Sequence, residues 1–586
     1  MIDTVRPTAL RSGKFATSCD AVSEFLANTL GVVTAVSPEG LASYKDAGHQ
    51  FLRGWEFGCD FEGARLGLRV LVDQDFPFSA PRIGLAGPDT ISGAHIEAGS
   101  LFCLPQGQII AWDRPADALA ILLRQAGEII SKALNPELER EETRREIIAY
   151  WTRENAGRLV TSYIAPEGRS RKIFRVDGEG RKIRLFDNRA DAQAFFETGG
   201  KTLKSIQFGK PAFLLWLRRP PAMDELPETI GDLIRLLVQE PVENLDDLAM
   251  LTSKGRTTLI LGFSDADGRG FIGVELPKLT YQRDVPVKLQ FVVARDRAQA
   301  LTQLRVRRAD PEWVFGRDGN PHVSRLQAAR IALIGAGSLG SYLAQQLASA
   351  GVGSITIIDP EALAFENISR HLLGSEFVGA SKAEAVALRL QRQFRTSKIV
   401  GVDARWQDWV VSAREELSDY DMILCSIGDW PQEVHLTDFF QSNGSNVALF
   451  YAWLEPHAIA GQAVLLPAAS PCFCCGFDTK ANAHRQMSEW DEPTSRAIPL
   501  CGGQYQPYGI GALSGHAAAI AGFALRYLSG EIGEPAHFLR SAGDPTPLGG
   551  RWRDWWSKEC GETDLNYRVR TLPWRKQPDC PMCGDN

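Results

Sequence analysis

Arg330-Ile-Ala-Leu-Ile334-Gly335-Ala-Gly337-Ser-Leu-Gly340 is the stretch that decides how this chain folds. Its first residues form a short, apolar, β-branched run, the glycines follow at once, and Leu339, Leu343 and Leu347 then recur at helical spacing. The order is strand, phosphate turn, helix. Glycines let the backbone come close to phosphate, and the helix N-terminus supplies unpaired N–H groups and a partial positive charge. A second strand, Ser354-Ile-Thr-Ile-Ile358, delivers Asp359, 19 residues past Gly340, where a carboxylate can accept from ribose hydroxyls. Gly335, Gly337, Gly340 and Asp359 are therefore candidate nucleotide-binding residues. A dinucleotide oxidoreductase reads the same way, so the motif alone does not separate ATP from NAD.

The residues that follow do separate them. Asn367, Arg370 and Lys382 come next, then the apolar strand Met422-Ile-Leu-Cys-Ser-Ile427 and Asp429. Hydride transfer between neutral carbons needs neither two cations nor a further carboxylate around the phosphates. Adenylation needs both: cations hold a triphosphate and stabilise departing pyrophosphate, and a carboxylate at a strand's C-terminal end can hold Mg²⁺. Two Cys-x-x-Cys pairs, Cys472 with Cys475 and Cys580 with Cys583, offer four thiolates for a closed tetrahedral Zn²⁺ site that staples the C-terminal tail to the domain. Cys474 beside them reads as a bystander.

With these residues in view, positions 330 to 586 resemble the ubiquitin-activating superfamily, including the bacterial activators of sulfur-carrier proteins. The resemblance rests on GAGSLG, Asp359, Asn367-x-x-Arg370, Lys382, Asp429, Pro-Cys-x-x-Cys and the terminal Cys-Pro-x-Cys-Gly. It implies that the first set binds ATP and Mg²⁺ and that the cysteine pairs hold zinc. It also implies a thioester cysteine on a loop after the first knuckle, and Ile498-Pro-Leu-Cys501-Gly-Gly resembles that loop. A Gly/Ala-rich helix, Gly509 to Leu528, is expected to follow. Cys560, in what reads as an exposed loop, is the other candidate, and a chain with no covalent cysteine is the third case. The family lends an Arg across a dimer to ATP; Arg317, ahead of Arg325, is the residue expected to fill that role, within a homodimer.

The N-terminal region shows alternating apolar strands from residue 51 to 83, including Leu66-Gly-Leu-Arg-Val-Leu-Val72, then Asp75-Phe-Pro-Phe-Ser-Ala-Pro81. Ala94-His95-Ile leads to Cys103-Leu, and a helix is expected through Leu119, Leu122 and Ile129. This resembles the ubiquitin-conjugating fold, whose cysteine accepts an acyl group by transthiolation, so the resemblance gives Cys103 that role and His95 a place beside it. The sequence departs from the family: the usual His-Pro-Asn triplet is reduced to His95-Ile, and His95 stands only 8 residues before Cys103. Without the Asn, His95 or a backbone N–H must serve as the oxyanion donor. Cys103 read as a buried small hydrophobe is the plainer alternative, and Cys19, Cys59 and Cys425 are expected to be that.

Length and composition bound the picture. A chain of 586 residues, 44% hydrophobic and 23% charged, is long enough for about three to four domains. Its net charge of −7 argues against coating nucleic acid, its polar N-terminus has no signal-like apolar run, and no stretch suits a membrane span. Eleven cysteines with metal-like clustering fit a reducing cytoplasm. The expected class is α/β: a ubiquitin-conjugating-like α+β domain at 1–158, an α/β connector at 159–310, and a Rossmann-like adenylation domain with a zinc staple at 311–586. Pro136 to Trp151 reads as one charged helix with a solvated face. In the connector, strands are expected at Lys172 to Val176, Ala212 to Leu217, Thr257 to Phe263 and Val287 to Val293, and a helix at Ile230 to Val238.

Tethering activator and conjugator makes thioester transfer intramolecular. The domain order also resembles the fusion proteins of bacterial CBASS antiphage operons, which implies a cGAS-like nucleotidyltransferase as the protein substrate and a further protein as acceptor. The expected activity is adenylation of a protein C-terminus, capture on Cys501, transfer to Cys103 and release onto an amine. The alternatives are a sulfur-carrier activator with an N-terminal docking domain, and an inert scaffold.

Overall fold

A computed structural model gives the fold, describing residues 13–584 apart from 45–48, 62, 88–90, 92, 98–99, 105–111, 154–156, 179–181, 198–206, 240–242, 266–267, 280–296, 414–416, 445, 468–470, 479–480, 498–503 and 562–563. The chain divides into two compact units: Met1–Val160, Pro166–Lys172 and Lys210–Val306 in one; Thr161–Ala165, Ile173–Gly209 and Arg307–Asn586 in the other.

In the second unit the Arg330–Ile334 run is a strand, Ser338–Ser349 a helix and Ser354–Ile358 the next strand. They belong to an eight-stranded sheet. Across it lie Lys398–Val402, Ser354–Ile358, Arg330–Ile334, Met422–Cys425 and Ala448–Leu454, all parallel. Ala460–Leu466, Ala536–Ser541 and Val569–Pro573 then continue it antiparallel. Parallel strands covered on both faces read as unbroken apolar runs, and here alternate side chains serve opposite cores. Ile331 and Leu333 pack with the Ser338–Ser349, Lys382–Gln393 and Ile510–Leu528 helices. Ala332 and Ile334 pack with Trp406, Trp409 and Leu436 on the other side. Ile334 is level with Ile358 on one neighbour and Cys425 on the other. The turns that leave these three strands therefore open on one edge, where doubly wound sheets bind ligands.

In the first unit the Phe15–Leu30 helix precedes a meander of Val33–Ala35, Arg53–Phe61, Ala64–Val72 and Arg82–Leu85, each antiparallel to the last. Leu66, Leu68, Val70 and Val72 alternate onto a core shared with Phe102 and with Leu119, Leu122, Ala126 and Ile130 of the Pro115–Leu134 helix. The expected single charged helix is two, Pro136–Arg145 and Ile147–Arg153, broken at Glu146. Its charges are not merely solvated. Arg140 and Arg144 each reach Glu225 at 3.0 Å, and its acids hold the His95 loop.

Of the connector, the first unit contains Thr257–Asp265 hairpinned to Gly268–Leu276, with Ala212–Trp216 running parallel beside it. Helices Ile230–Gln239 and Leu245–Lys254 share a core with these strands, Ile147 and Trp151. The second unit contains Phe174–Asp177 paired with Ile183–Phe186 and the Arg189–Glu197 helix, most of which the sequence pattern left unassigned. The strand expected at 287–293 lies outside the described residues.

Candidate functional site

The turn after Ile334 closes by backbone: Gly335 takes φ +95°, a conformation side chains resist. A Cβ on Gly340 would stand 1.9 Å from the Gly335 carbonyl oxygen. Gly340 is therefore glycine for helix-to-turn packing. Gly337 has open space where its Cβ would be, and no side chain caps the helix it begins. Around this turn is a cleft of about 410 Å³ lined by Gly335, Gly337, Asp359, Glu361, Arg405 and Asp429, among others. The cleft has unencumbered backbone N–H groups at a helix start, an open cradle and carboxylates at its rim, which fits a magnesium nucleotide.

Asp359 is buried and accepts the Ala336 N–H at 2.7 Å and the Glu361 N–H at 2.8 Å. Burial pushes its carboxyl up, and these bonds and Lys382 oppose the push. It thus braces the glycine turn while also lining the cleft. Asp429 is exposed and caps the Trp430–Ser442 helix through the Gln432 N–H at 3.2 Å. Lys382 is buried and paired with Glu361, so its ammonium stands at the rim. Asn367 accepts the Ala364 N–H at 3.1 Å, and Arg370 donates to the Gln506 carbonyl at 2.8 Å with Tyr508 under its guanidinium. The structure thus gathers Gly335, Gly337, Asp359 and Asp429 around one cleft and leaves Asn367 and Arg370 in structural bonds at a neighbouring turn.

Sequence reasoning passed over Glu361, Arg405 and Gln432, all in the cleft wall, and His371, whose Nε2 bonds the Ala336 carbonyl at 2.7 Å. Arg405 follows the end of a parallel strand at Val402, the position that identified Asp359 and Asp429, and could have been found by the same rule. Arg317 lies over the Trp313 ring at 3.6 Å. A second hollow of about 380 Å³ shares Gly337, Ser426 and Ile427 with the cleft and is lined by Trp430, Trp453 and Phe477.

Cys472, Cys475, Cys580 and Cys583 bring their sulfurs within 4.8 Å of one another. The closest pairs lie 3.3, 3.5 and 3.8 Å apart. Zn–S bonds of about 2.3 Å in a tetrahedron place sulfurs roughly 3.8 Å apart, so the cluster fits zinc. Crowding disfavours the thiolates as they stand: the Cys472 sulfur and then burial push Cys475 far up, and burial first pushes Cys583 up to about 11. A divalent cation reverses that balance. Cys474 is buried with its sulfur 3.9 Å from that of Met582, and Cys19 and Cys425 are buried as expected, while Cys59 is half-buried.

Cys501 lies outside the described residues. Cys560 does not sit on an exposed loop. It ends the Asp554–Cys560 helix, buried with Trp556, Met487 and Leu539, because Trp556 and Cys560 share one helical face and Gly561 at φ +67° closes the turn.

In the first unit Cys103 is exposed. Its N–H donates to the His95 carbonyl at 2.7 Å, so that donor is taken. His95 has φ +63°, and the Pro136–Arg153 segment holds it there. Its N–H donates to the Tyr150 hydroxyl at 2.7 Å, and its ring nitrogens stand 3.3 Å from Glu142 and from Glu146. Beside it the Ala94 N–H donates to Glu139 at 2.6 Å. Partial burial, then Glu97 and Glu146, push the Cys103 thiol up against the pull of Arg82. None of these carboxylates was identified from sequence as a partner of the loop.

Residues 312–541 match the ThiF family. Over 486 residues, 77% of this chain and 83% of the relative, the chain is 24% identical to the ATP-dependent ubiquitin transferase-like protein Cap2 of Pseudomonas aeruginosa. It is 24% identical to the SAMP-activating enzyme E1 of Haloferax volcanii over 44% of this chain and 82% of the relative. To the sulfur carrier protein adenylyltransferase of Thermus thermophilus it is 26% identical, over 44% of this chain and 84% of the relative. The chain is thus a mixed α/β protein with a ThiF-type, Rossmann-like region, and it resembles Cap2 along most of its length. Among the described residues no helix is long and apolar enough to cross a membrane.

Proposed function

We propose that this chain is an ATP-dependent adenylating and conjugating enzyme acting on the C-terminus of a partner protein. The observation that carries the reading is the convergence of the Gly335–Gly337 turn, Asp359 and Asp429 on one cleft of a ThiF-type sheet, in a chain whose other unit exposes Cys103. The partner is a cGAS-like nucleotidyltransferase, the acceptor a further protein, and the setting the cytoplasm. Residues 1–158, 159–310 and 311–586 are conjugating-like, connecting and activating domains.

The substrate carboxylate attacks the α-phosphorus of ATP, forming an acyl adenylate as the α–β phosphoanhydride bond breaks and pyrophosphate leaves. The Ser338–Ser349 helix start and the Gly337 backbone hold phosphate, Asp359 fixes the turn and the ribose side, and Lys382 balances charge at the rim. Asp429 would hold Mg²⁺, which neutralises phosphate charge when bound. The four cysteines would hold zinc. The aromatic hollow beside the cleft suits a peptide tail arriving with its carboxylate first. The Cys501 thiolate then takes the acyl group and releases AMP, Cys103 takes it by thioester exchange, and an amine finally displaces Cys103. A homodimer supplies Arg317 across the interface.

A second reading, a sulfur-carrier activator whose first unit only docks the carrier, is favoured by the acidic surroundings of Cys103, which disfavour its thiolate. Non-reducing gels of Cys103→Ala and Cys501→Ala with partner and MgATP decide between them. The conjugation reading expects the adduct trapped on Cys501 in the first variant and every thiol-sensitive adduct lost in the second. An unchanged final product from Cys103→Ala removes it.

A further inference from the structure

The cysteine cluster touches the nucleotide cleft through an unbroken line of buried groups in the second unit. Phe473 directly follows Cys472 and is fully buried. Its ring stacks on that of Tyr451, centroids 4.0 Å apart and 15° from parallel. The Tyr451 hydroxyl bonds Thr437 at 2.6 Å, and the Thr437 hydroxyl donates to the Glu433 carbonyl at 2.7 Å. One side-chain oxygen of Glu433 in turn accepts the Gly428 N–H at 3.1 Å, in the turn that carries Asp429. A second route runs in parallel. Trp430, the first residue of the helix that Asp429 caps, lies 4.3 Å from Phe477 and packs with Val434 against the cysteines.

We propose that Phe473, Tyr451, Thr437 and Glu433 are positioning residues that fix the Ser426–Asp429 turn, so that the metal cluster sets nucleotide affinity besides anchoring the last strand. The inference rests on the adenylation reading above. Its physical basis is that interiors pack densely and shift between discrete arrangements, so a displaced Phe473 must move Tyr451 or open a void. With the Thr437 hydroxyl donating to the Glu433 carbonyl, the Tyr451 hydroxyl donates to Thr437, so removing it deletes one buried hydrogen bond between the Ala448–Leu454 strand and the Trp430–Ser442 helix. Loosening the knuckle therefore reaches Gly428 and Asp429 through Tyr451 of the Ala448–Leu454 strand.

Coupling of two equilibria is reciprocal, and a residue that only fills space in the core does not produce that reciprocity. The test uses the full zinc-loaded chain and MgATP itself. Calorimetry on Tyr451→Phe, which keeps the ring and all four thiols, should show MgATP binding weakened roughly 5- to 10-fold at unchanged zinc content. Phe473→Leu should weaken it further. In the wild-type chain, zinc affinity measured against a zinc-selective chelator should tighten by a similar factor when MgATP is saturating. Unchanged MgATP affinity in zinc-replete Tyr451→Phe, or zinc affinity indifferent to MgATP, overturns the inference and leaves adenylation standing. Should Phe473→Leu fail to fold, the milder Tyr451→Phe decides. A wild-type chain that binds no MgATP removes the adenylation reading and this inference together.

Discussion

The cleft at Gly335 and the Cys103 loop at His95 are each built on a turn with an unusual backbone angle, yet they are held by different forces. Gly335 owes its position first to three parallel strands that end level with one another and to its own N–H bond with the Ile358 carbonyl, with the Ser426, Asp359 and His371 side chains bracing the turn from within the same sheet edge. His95 owes its position to Tyr150, Glu142 and Glu146, side chains about fifty residues away on a separate segment. A sheet edge keeps its geometry under most single substitutions. A loop held by side chains can lose it through one.

That contrast fails most visibly if Asp429 is dispensable. Asp429→Ala should cut pyrophosphate exchange by about 10²- to 10³-fold, the usual effect of deleting one preorganised contact. Near-normal exchange in a folded protein would dissolve the metal role of the cleft. Removing a cluster thiol comes next: Cys580→Ser should lose bound zinc and about 2–4 kcal/mol of stability together, read by metal analysis and thermal melting. Full stability without zinc would separate the cluster from the fold.

The Glu433 carboxyl is smaller in effect and pH-dependent. Burial pushes it from 4.5 up to about 7, with the Gly428 N–H opposing and Asp429 reinforcing. A carboxyl whose folded pKa is raised contributes stability in full below the unfolded value, and loses it as pH climbs through the folded one. Glu433→Gln should therefore gain about 1–3 kcal/mol on wild type between pH 5 and pH 8. Parallel unfolding curves across that range would contradict the burial argument. Smallest is Tyr150→Phe, which removes the acceptor of the His95 N–H. It should slow the final transfer from Cys103 roughly tenfold, about 1.4 kcal/mol, with exchange untouched. A loss of exchange instead would mean the two regions are not separable.

What the sequence disclosed follows the same division. The parallel strands were legible because double burial writes them as apolar runs, and the cysteine pairs because their spacing is local. Glu139, Glu142 and Glu146 were visible as a helical face, but a solvated face and one clamped to Ala94 and His95 have identical spacing. Cys560 misled for a related reason. A seven-residue helix with two buried positions offers too little periodicity to distinguish from a loop, although Gly561 behind it is an ordinary helix stop.

The order in which the chain leaves the ribosome gives the cysteine cluster a temporal meaning. Cys472 and Cys580 are 108 residues apart. At about 5–20 residues per second, the first knuckle waits between roughly five and twenty seconds for its partners. During that interval a nascent chain offers only half a ligand set, and a message cut short anywhere in it yields a protein that never acquires the other half. Assembly of the four-cysteine cluster thus waits until synthesis has passed Cys583, and a product cut short between Pro573 and Cys580 keeps the Val569–Pro573 strand without the knuckle that follows it.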